Sequence, residues 1–278
     1  MSSPDAISPT AHYTGEVWRR SGLSHPWLST REGRAMYDLL HPVMRASAVL
    51  GGPSLEAYLL ARHRAIDARL ERAIQDHAVT QVIEVAAGLS PRGWRFASRY
   101  GERVTYIEAD LPAMAARKRR ALERIGSLSD HHRVVELDAL AGSDPSDPAS
   151  LAAVAAQLDG DRGVAIITEG LVGYLPTDAM LAMWSRFAAT LSGFPSSCYI
   201  SDLHLGSVAN PAVHAFRVAL SAFVRGRVYL HFDDAADAEA RLRECGFATA
   251  SVRPAGQLVT LPGDPGSTLA HILEASTR

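Results

Sequence analysis

Apolar positions along the chain follow two rhythms. Leu55, Leu59, Ile66, Leu70 and Ile74 recur at three- and four-residue spacing and predict a helix over 54–77. Arg62 breaks the pattern, a guanidinium inside the apolar stripe. Val82, Ile83 and Val85 then form an apolar run too short for a helix, which reads as a strand. The chain turns through Ala86-Ala87-Gly88-Leu89-Ser90-Pro91. A helix is expected to start there, with Ser90 as its cap and Pro91 in its first turn, where a missing N–H is harmless. Val104, Tyr106 and Ile107 make the next strand, which ends at Glu108-Ala109-Asp110.

The alternation continues. Strands are predicted at 132–138, 163–168 and 198–202, and helices at 147–158, 177–191 and 234–245. Asp147 is the expected cap of its helix, with Pro148 behind it, and Gly246 the expected stop of the last one. Strands at 249–254 and 268–274 close the chain with no helix between them. Alternating strands and helices imply an α/β fold, a mainly parallel sheet covered on both faces. The last two strands imply an antiparallel C-terminal hairpin at one edge. Residues 1–50 mix Pro, Gly, His and aromatic side chains and suggest short helices lying over something else. The segment 205–232 is too long for a simple connection. The two are expected to form a helical cap on a single domain spanning 1–278.

Asp110 lies 22 positions after Gly88. In doubly wound folds a carboxylate about 20 residues beyond the glycine turn holds a ribose. The opening strand–turn–helix–strand unit is therefore half of a nucleotide-cofactor fold.

Composition narrows the partners. The net charge is −2, which argues against a nucleic-acid partner. The basic run Arg117-Lys118-Arg119-Arg120 reads as a solvated helix face. The first residues, MSSPDAISPTAHYTG, lack a basic and then apolar leader, and no apolar stretch is long enough to span a bilayer. Cys198 and Cys245 read as free thiols in a reducing compartment, so a cytoplasmic location without membrane attachment is expected. No Cys/His spacing suggests zinc, and no carboxylate cluster suited to Mg²⁺ can be assembled, so no metal is expected.

Seven strands with a terminal hairpin describe the class I S-adenosylmethionine-dependent methyltransferase sheet, Rossmann-like, better than an NAD domain. QVIEVAAGLSPRGWRF, YIEADLPAMAARKRRAL and IITEGLVGYLP, in that order, resemble the leucine carboxyl methyltransferase family, which includes bacterial polyketide O-methyltransferases. The resemblance runs from about Leu55 to Leu191, with a weaker trace at 198–204. The first 50 residues do not follow the protein-methylating branch.

The resemblance implies roles for particular residues. Arg62 would hold the methionine carboxylate of S-adenosylmethionine; its other reading is a structural salt bridge to Glu84 or Asp67. Gly88 would let the backbone approach the cofactor. Ala86 stands where the family often has glycine. Glu84 would support the turn, or else pair with a buried arginine such as Arg95. Asp110 would accept hydrogen bonds from both ribose hydroxyls, next to Leu111. Its other reading is a cap for the helix starting at Leu111-Pro112. Glu108 points to the same strand face and is the alternative ribose ligand. Asp138 and Ala139 would meet the adenine, unless Asp138 is an ordinary turn residue. Glu169 would lie beside the methionine end, with Tyr174 and Leu175 over the methyl-transfer space.

His204 follows the fifth strand at the ligand edge of the sheet. It could take a proton from an acceptor hydroxyl or be purely structural. Tyr174 is the second catalytic candidate. His12, Tyr13 and Tyr174, with His214 and Arg225 in the later cap segment, are the candidate substrate contacts. The expected activity is methyl transfer to a hydroxyl or carboxyl oxygen of a small organic acceptor. The rival readings are a protein carboxyl methyltransferase and a cofactor-binding protein without catalysis.

Overall fold

The computed structural model describes residues 9–49, 54–76, 78–206, 229–260 and 269–278. Seven strands form one sheet: β1 (Gln81–Val85), β2 (Thr105–Asp110), β3 (His132–Glu136), β4 (Val164–Thr168), β5 (Ser197–Leu203), β6 (Thr249–Pro254) and β7 (His271–Ser276). Their spatial order is β3-β2-β1-β4-β5-β7-β6. The first five pair in parallel, and β7 runs antiparallel between β5 and β6. The order reverses between β1 and β4. Open sheets of this kind bind ligands outside the strand C-termini at such a crossover.

Strand side chains alternate between the two faces. Ile83, Val85, Ile107 and Ile166 pack against α7 (Thr177–Leu191) and α8 (Ala235–Glu244), with Trp184 and Phe187 at the centre. Val82, Tyr106, Ala165 and Ile167 face α3 (Leu55–Gln75) and α4 (Arg92–Tyr100). Leu28, in a short 3-10 turn, anchors the N-terminal segment onto α5 (Pro112–Ile125) through Ala115 and Leu122.

Several expectations shift in detail. The N-terminal region forms α1 (Pro9–Arg20) and a 19-residue α2 (Arg31–Val49), longer than the short helices expected. Asp147 does not cap a helix. It closes a turn by accepting from the Ala149 N–H, and α6 (Leu151–Ala155) starts at Ser150, whose hydroxyl accepts from Ala153 N–H. Ser150 wins because its hydroxyl is buried and also donates to the Asp144 carbonyl at 2.7 Å. Ser90 likewise sits before the first turn of α4 rather than at its cap position, which Pro91 takes. The presumed cap segment is largely outside the described residues, and with it His214 and Arg225. No helix among the described residues is long and apolar enough to cross a membrane.

Candidate active site

The site grows from the turn after β1. Ala86 and Gly88 both adopt positive φ, 54° and 50°. Among the described residues Ala86 is the non-glycine residue in that region. An L-residue there carries about 1–2 kcal/mol of strain. The turn is held by Asp110 at the end of β2. One Asp110 oxygen accepts from Gly88 N–H at 2.7 Å and the other from Leu111 N–H at 2.8 Å. Asp110 thus ties both backbone segments together, and each oxygen keeps a lone pair for a further donor. Burial raises its pKa, against the pull of those two N–H groups. A Cβ on Gly88 would find only the Ala86 carbonyl, at 4.0 Å, so the backbone there is open to a ligand.

Beneath the turn lies a layer of buried charge. The Arg92 side chain is fully buried and reaches three elements. Nε donates to Asp67 of α3 at 2.6 Å, Nη1 to Glu84 of β1 at 2.5 Å, and Nη2 to Glu169 after β4 at 2.6 Å. Arg95 completes Asp67 at 2.5 Å, and the Tyr106 hydroxyl donates to Glu84 at 2.8 Å. Glu84 is register partner to Glu108 of β2. Glu108 has its own partners, the Lys118 ammonium and the His132 ring, the latter at 2.7 Å. Removing one member would strand a buried charge, at a cost of about 3–5 kcal/mol.

Arg62 sits at the edge of this layer. Its Nε donates to Glu169 at 3.0 Å and its Nη1 to Asp202 at 3.2 Å. The salt-bridge partners expected from sequence, Glu84 and Asp67, go instead to Arg92. Asp202 also accepts from Gly170 N–H at 2.7 Å. A Cβ on Gly170 would lie 3.3 Å from both terminal nitrogens of Arg62. Glycine there keeps the guanidinium clear. The neighbouring carboxylates raise the Arg62 pKa against the opposing effect of burial. Burial works to raise the Glu169 pKa, but His63, Arg92 and Arg62 together hold it well below the usual carboxylate range.

The remaining candidates fall into distinct places. Glu108 is enclosed by Lys118 and His132, facing the helix layer rather than the ligand edge. Asp138 is exposed, its carboxylate closing a turn onto Leu140 N–H, and Ala139 accepts from Arg186. The Tyr174 hydroxyl meets Thr10 of α1 at 3.0 Å. His204 Nε2 lies 2.6 Å from the Tyr58 hydroxyl, which burial holds protonated by raising its pKa. His12 Nδ1 lies 2.8 Å from Thr30. Tyr13 is buried and stacked on Tyr37, in the core rather than facing a cavity. Lys118 departs from the solvated face expected of its run, since it turns inward to Glu108 and to the Ser90 carbonyl. Among the described residues no group of three or more His, Cys, Asp and Glu could hold a metal.

Sequence reasoning gave no role to Arg92, His63, Tyr58, Gly170 or Asp202, and named Asp67 only as an alternative partner for Arg62. A signal existed for some of them. Tyr58, Arg62 and Ile66 share one face of α3 at four-residue spacing, as do His63 and Asp67. Arg92 lay inside the first quoted motif without a role.

This geometry, a parallel sheet with a glycine turn after β1 and an acidic residue ending β2, defines a class I methyltransferase framework. The model of the family "Leucine carboxyl methyltransferase" matches residues 27–188, and the chain belongs to that family. It is an S-adenosylmethionine-dependent methyltransferase. The fold resembles a Thermobifida fusca protein assigned to the methyltransferases, with a TM-score of 0.65 at 14% identity over 97% of this chain and 95% of that one. It also resembles magnesium protoporphyrin IX methyltransferase from Synechocystis PCC 6803, solved with SAH, with a TM-score of 0.50 at 16% identity, covering 79% and 85% of the two chains. Human N-acetylserotonin methyltransferase, solved with SAM, gives a TM-score of 0.50 at 11% identity, covering 95% and 65%. No curated protein sequence matches the chain.

Arg92→Met is expected to destabilise the protein by about 3–5 kcal/mol, because three carboxylates lose their shared partner. The charge layer also sets an acid limit. Glu169 regains its ordinary pKa of 4.5 on unfolding, so the unfolded chain takes up that proton first as pH falls. Its contribution is complete above that value and is lost as pH drops below it toward the folded pKa. Denaturant titrations from neutral pH downward should show wild type weakening below pH 4.5 and Glu169→Gln weakening less steeply. Equal slopes would remove Glu169 from the account.

Proposed function

We propose that the protein transfers a methyl group from S-adenosylmethionine to an oxygen of a small organic acceptor. The observation that carries this reading is the open turn at Gly88, tied to Asp110 and flanked by the Arg62–Glu169 pair at the ends of β1, β2 and β4. Those residues suit the cofactor. Asp110 has lone pairs left for ribose hydroxyls. Of its five N–H donors Arg62 gives one to Glu169 and one to Asp202 and also meets Tyr58, which leaves others for a carboxylate. Glu169 supplies negative charge for an ammonium or sulfonium. Asp138 and Ala139, after β3, are assigned to the adenine end. The bound cofactor supplies an activated methyl group on a sulfonium.

The chain's own contribution is then alignment and exclusion of water. Holding acceptor oxygen in line with the methyl group can supply up to about 7–11 kcal/mol. We assign the roof to α1 and treat the chain as one domain with its N-terminal 50 residues as cap. Gly15 of α1 packs so closely that a Cβ there would stand 3.2 Å from Leu89 of the turn. Thr10 is hydrogen bonded to Tyr174 on the far side of the space. A roof this close favours a small acceptor. The family match also accommodates a protein carboxyl terminus, which would require α1 to leave room for a chain.

His204 can serve as a base in one tautomer only. If Nε2–H donates to the Tyr58 oxygen, Nδ1 is the unprotonated, basic nitrogen of the neutral ring. If Tyr58 donates to Nε2, the neutral ring carries its proton on Nδ1 and its one basic nitrogen is engaged by Tyr58. A carboxylate acceptor needs no base, whereas a phenol, with a pKa of about 10, does. A hydroxyl acceptor is the preferred case.

Two measurements test this. Calorimetry should show that S-adenosylhomocysteine binds and NAD does not. Arg62→Met and Asp110→Ala should each weaken S-adenosylhomocysteine, and Asp110→Ala should spare a ribose-lacking analogue. Binding of NAD in place of S-adenosylhomocysteine contradicts the reading, and equal losses for both ligands move Asp110 from the ribose to the turn. With the acceptor identified, His204→Ala should cut turnover by roughly 10²–10⁴ near neutral pH and less at high pH, where the acceptor ionises unaided. A loss constant at every pH leaves positioning as the whole mechanism.

A further inference from the structure

A cavity lies away from the strand ends. It has a volume of about 530 Å³ and sits between the start of α2 and the outer face of α5. Its size falls in the range of small-ligand sites, about 300–1,000 Å³. None of its lining residues is among those assigned above to cofactor or acceptor.

Its walls are unusual in charge. Arg31 and Arg34 come from α2, and Arg117, Arg120 and Arg124 from α5. Spacings of three and four residues put each set on one helix face. Among the described residues the only carboxylate on the lining is Glu32. Among the described residues none of the five arginines has an ion-pair partner, although the structure has many pairs elsewhere. Like charges at such spacings repel and lower stability. The chain as a whole is at −2, so this positive concavity opposes its overall balance.

The sites are also held in place. Leu28 packs into Ala115, Ala121 and Leu122 of α5, which fixes the two walls relative to each other. The neighbouring Trp27 lines the cavity, and the Arg124 guanidinium stands 4.8 Å from its ring centre. That stacking orients one guanidinium without neutralising it. Within the basic run, Lys118 and Arg119 are committed elsewhere, to Glu108 and to the Val134 carbonyl. Arg117 and Arg120 are left to the cavity.

We propose that this cavity binds a small phosphate-bearing ligand, through a di- or triphosphate group clasped between α2 and α5. Guanidinium forks match phosphate oxygens bidentately, and several converging on one cavity favour more than one phosphate. A carboxylate ligand would pair with fewer of them. The proposal is independent of the methyl-transfer reading, since each site has its own ligand and its own residues.

Calorimetric titration of the full chain with inorganic pyrophosphate and triphosphate tests it. One saturable site per chain is expected, with triphosphate tighter and both weakened by salt. Arg117→Ala combined with Arg120→Ala, and separately Arg34→Ala, should each weaken triphosphate by about tenfold or more. Arg243→Ala on α8 should not. S-adenosylhomocysteine affinity should be unchanged in the cavity variants, which also shows that they fold. Absence of saturable binding overturns the proposal, as does equal weakening by Arg243→Ala. Sedimentation with vesicles of anionic phospholipid separates a surface from a site. Vesicle binding without pyrophosphate binding would make the patch a membrane-contact surface and overturn the proposal.

Discussion

One buried guanidinium holds the ligand edge of this sheet together. Arg92 reaches α3, β1 and the exit of β4 through three carboxylates. Each partner is itself nearly dry, so the interior provides no water to replace any of them. Such a knot stabilises little against an apolar core of the same volume, because desolvation offsets the attraction. It fixes geometry instead. The strand ends that carry Gly88, Asp110 and Glu169 are set against each other by bonds that tolerate no substitute. Glu108 with Lys118 and His132 repeats the arrangement one strand further out.

The same layer bears on the proposed cofactor site, where acidic residues stand beside the guanidinium assigned to a ligand carboxylate. Glu169 is shared by Arg62, His63 and Arg92, and Asp202 by Arg62 and the Gly170 N–H. Their charge is spread over donors rather than presented raw. Arg62 is held between them, so in the proposed reading its guanidinium is already oriented before any ligand arrives. The strained Ala86 in the neighbouring turn is tolerated because Asp110 and the Ala109 carbonyl tie down Gly88 and Ala87 on its far side.

Much of the framework was legible in the chain. Apolar runs of four to six residues separated by amphipathic stretches gave the seven strands and the terminal hairpin, because each strand is buried on both faces or sits at a bounded edge. The helix at Thr177–Leu191 was read with its observed ends. Local rules failed where tertiary contacts choose between equals. Asp147 and Ser150 are both good caps, and the buried Ser150 hydroxyl, which also donates to the Asp144 carbonyl, decided for Ser150. Arg92 carried no assigned role in the sequence, and only the meeting of three distant elements makes it central. Tyr13 showed nothing in sequence to tell a core ring from a substrate contact. The basic run of α5 read as one solvated face, yet its side chains divide between the interior and a separate cavity.

The central claim is that the cofactor meets the turn tied by Asp110 and the Arg62–Glu169 pair above the Arg92 knot. Amide hydrogen exchange, with and without S-adenosylhomocysteine, tests it most directly. The account predicts added protection at Gly88, at Leu111 and at Glu169–Gly170, with the β6–β7 edge unchanged. Protection confined to other segments, with the Gly88 turn and the β4 exit unaffected, would contradict it.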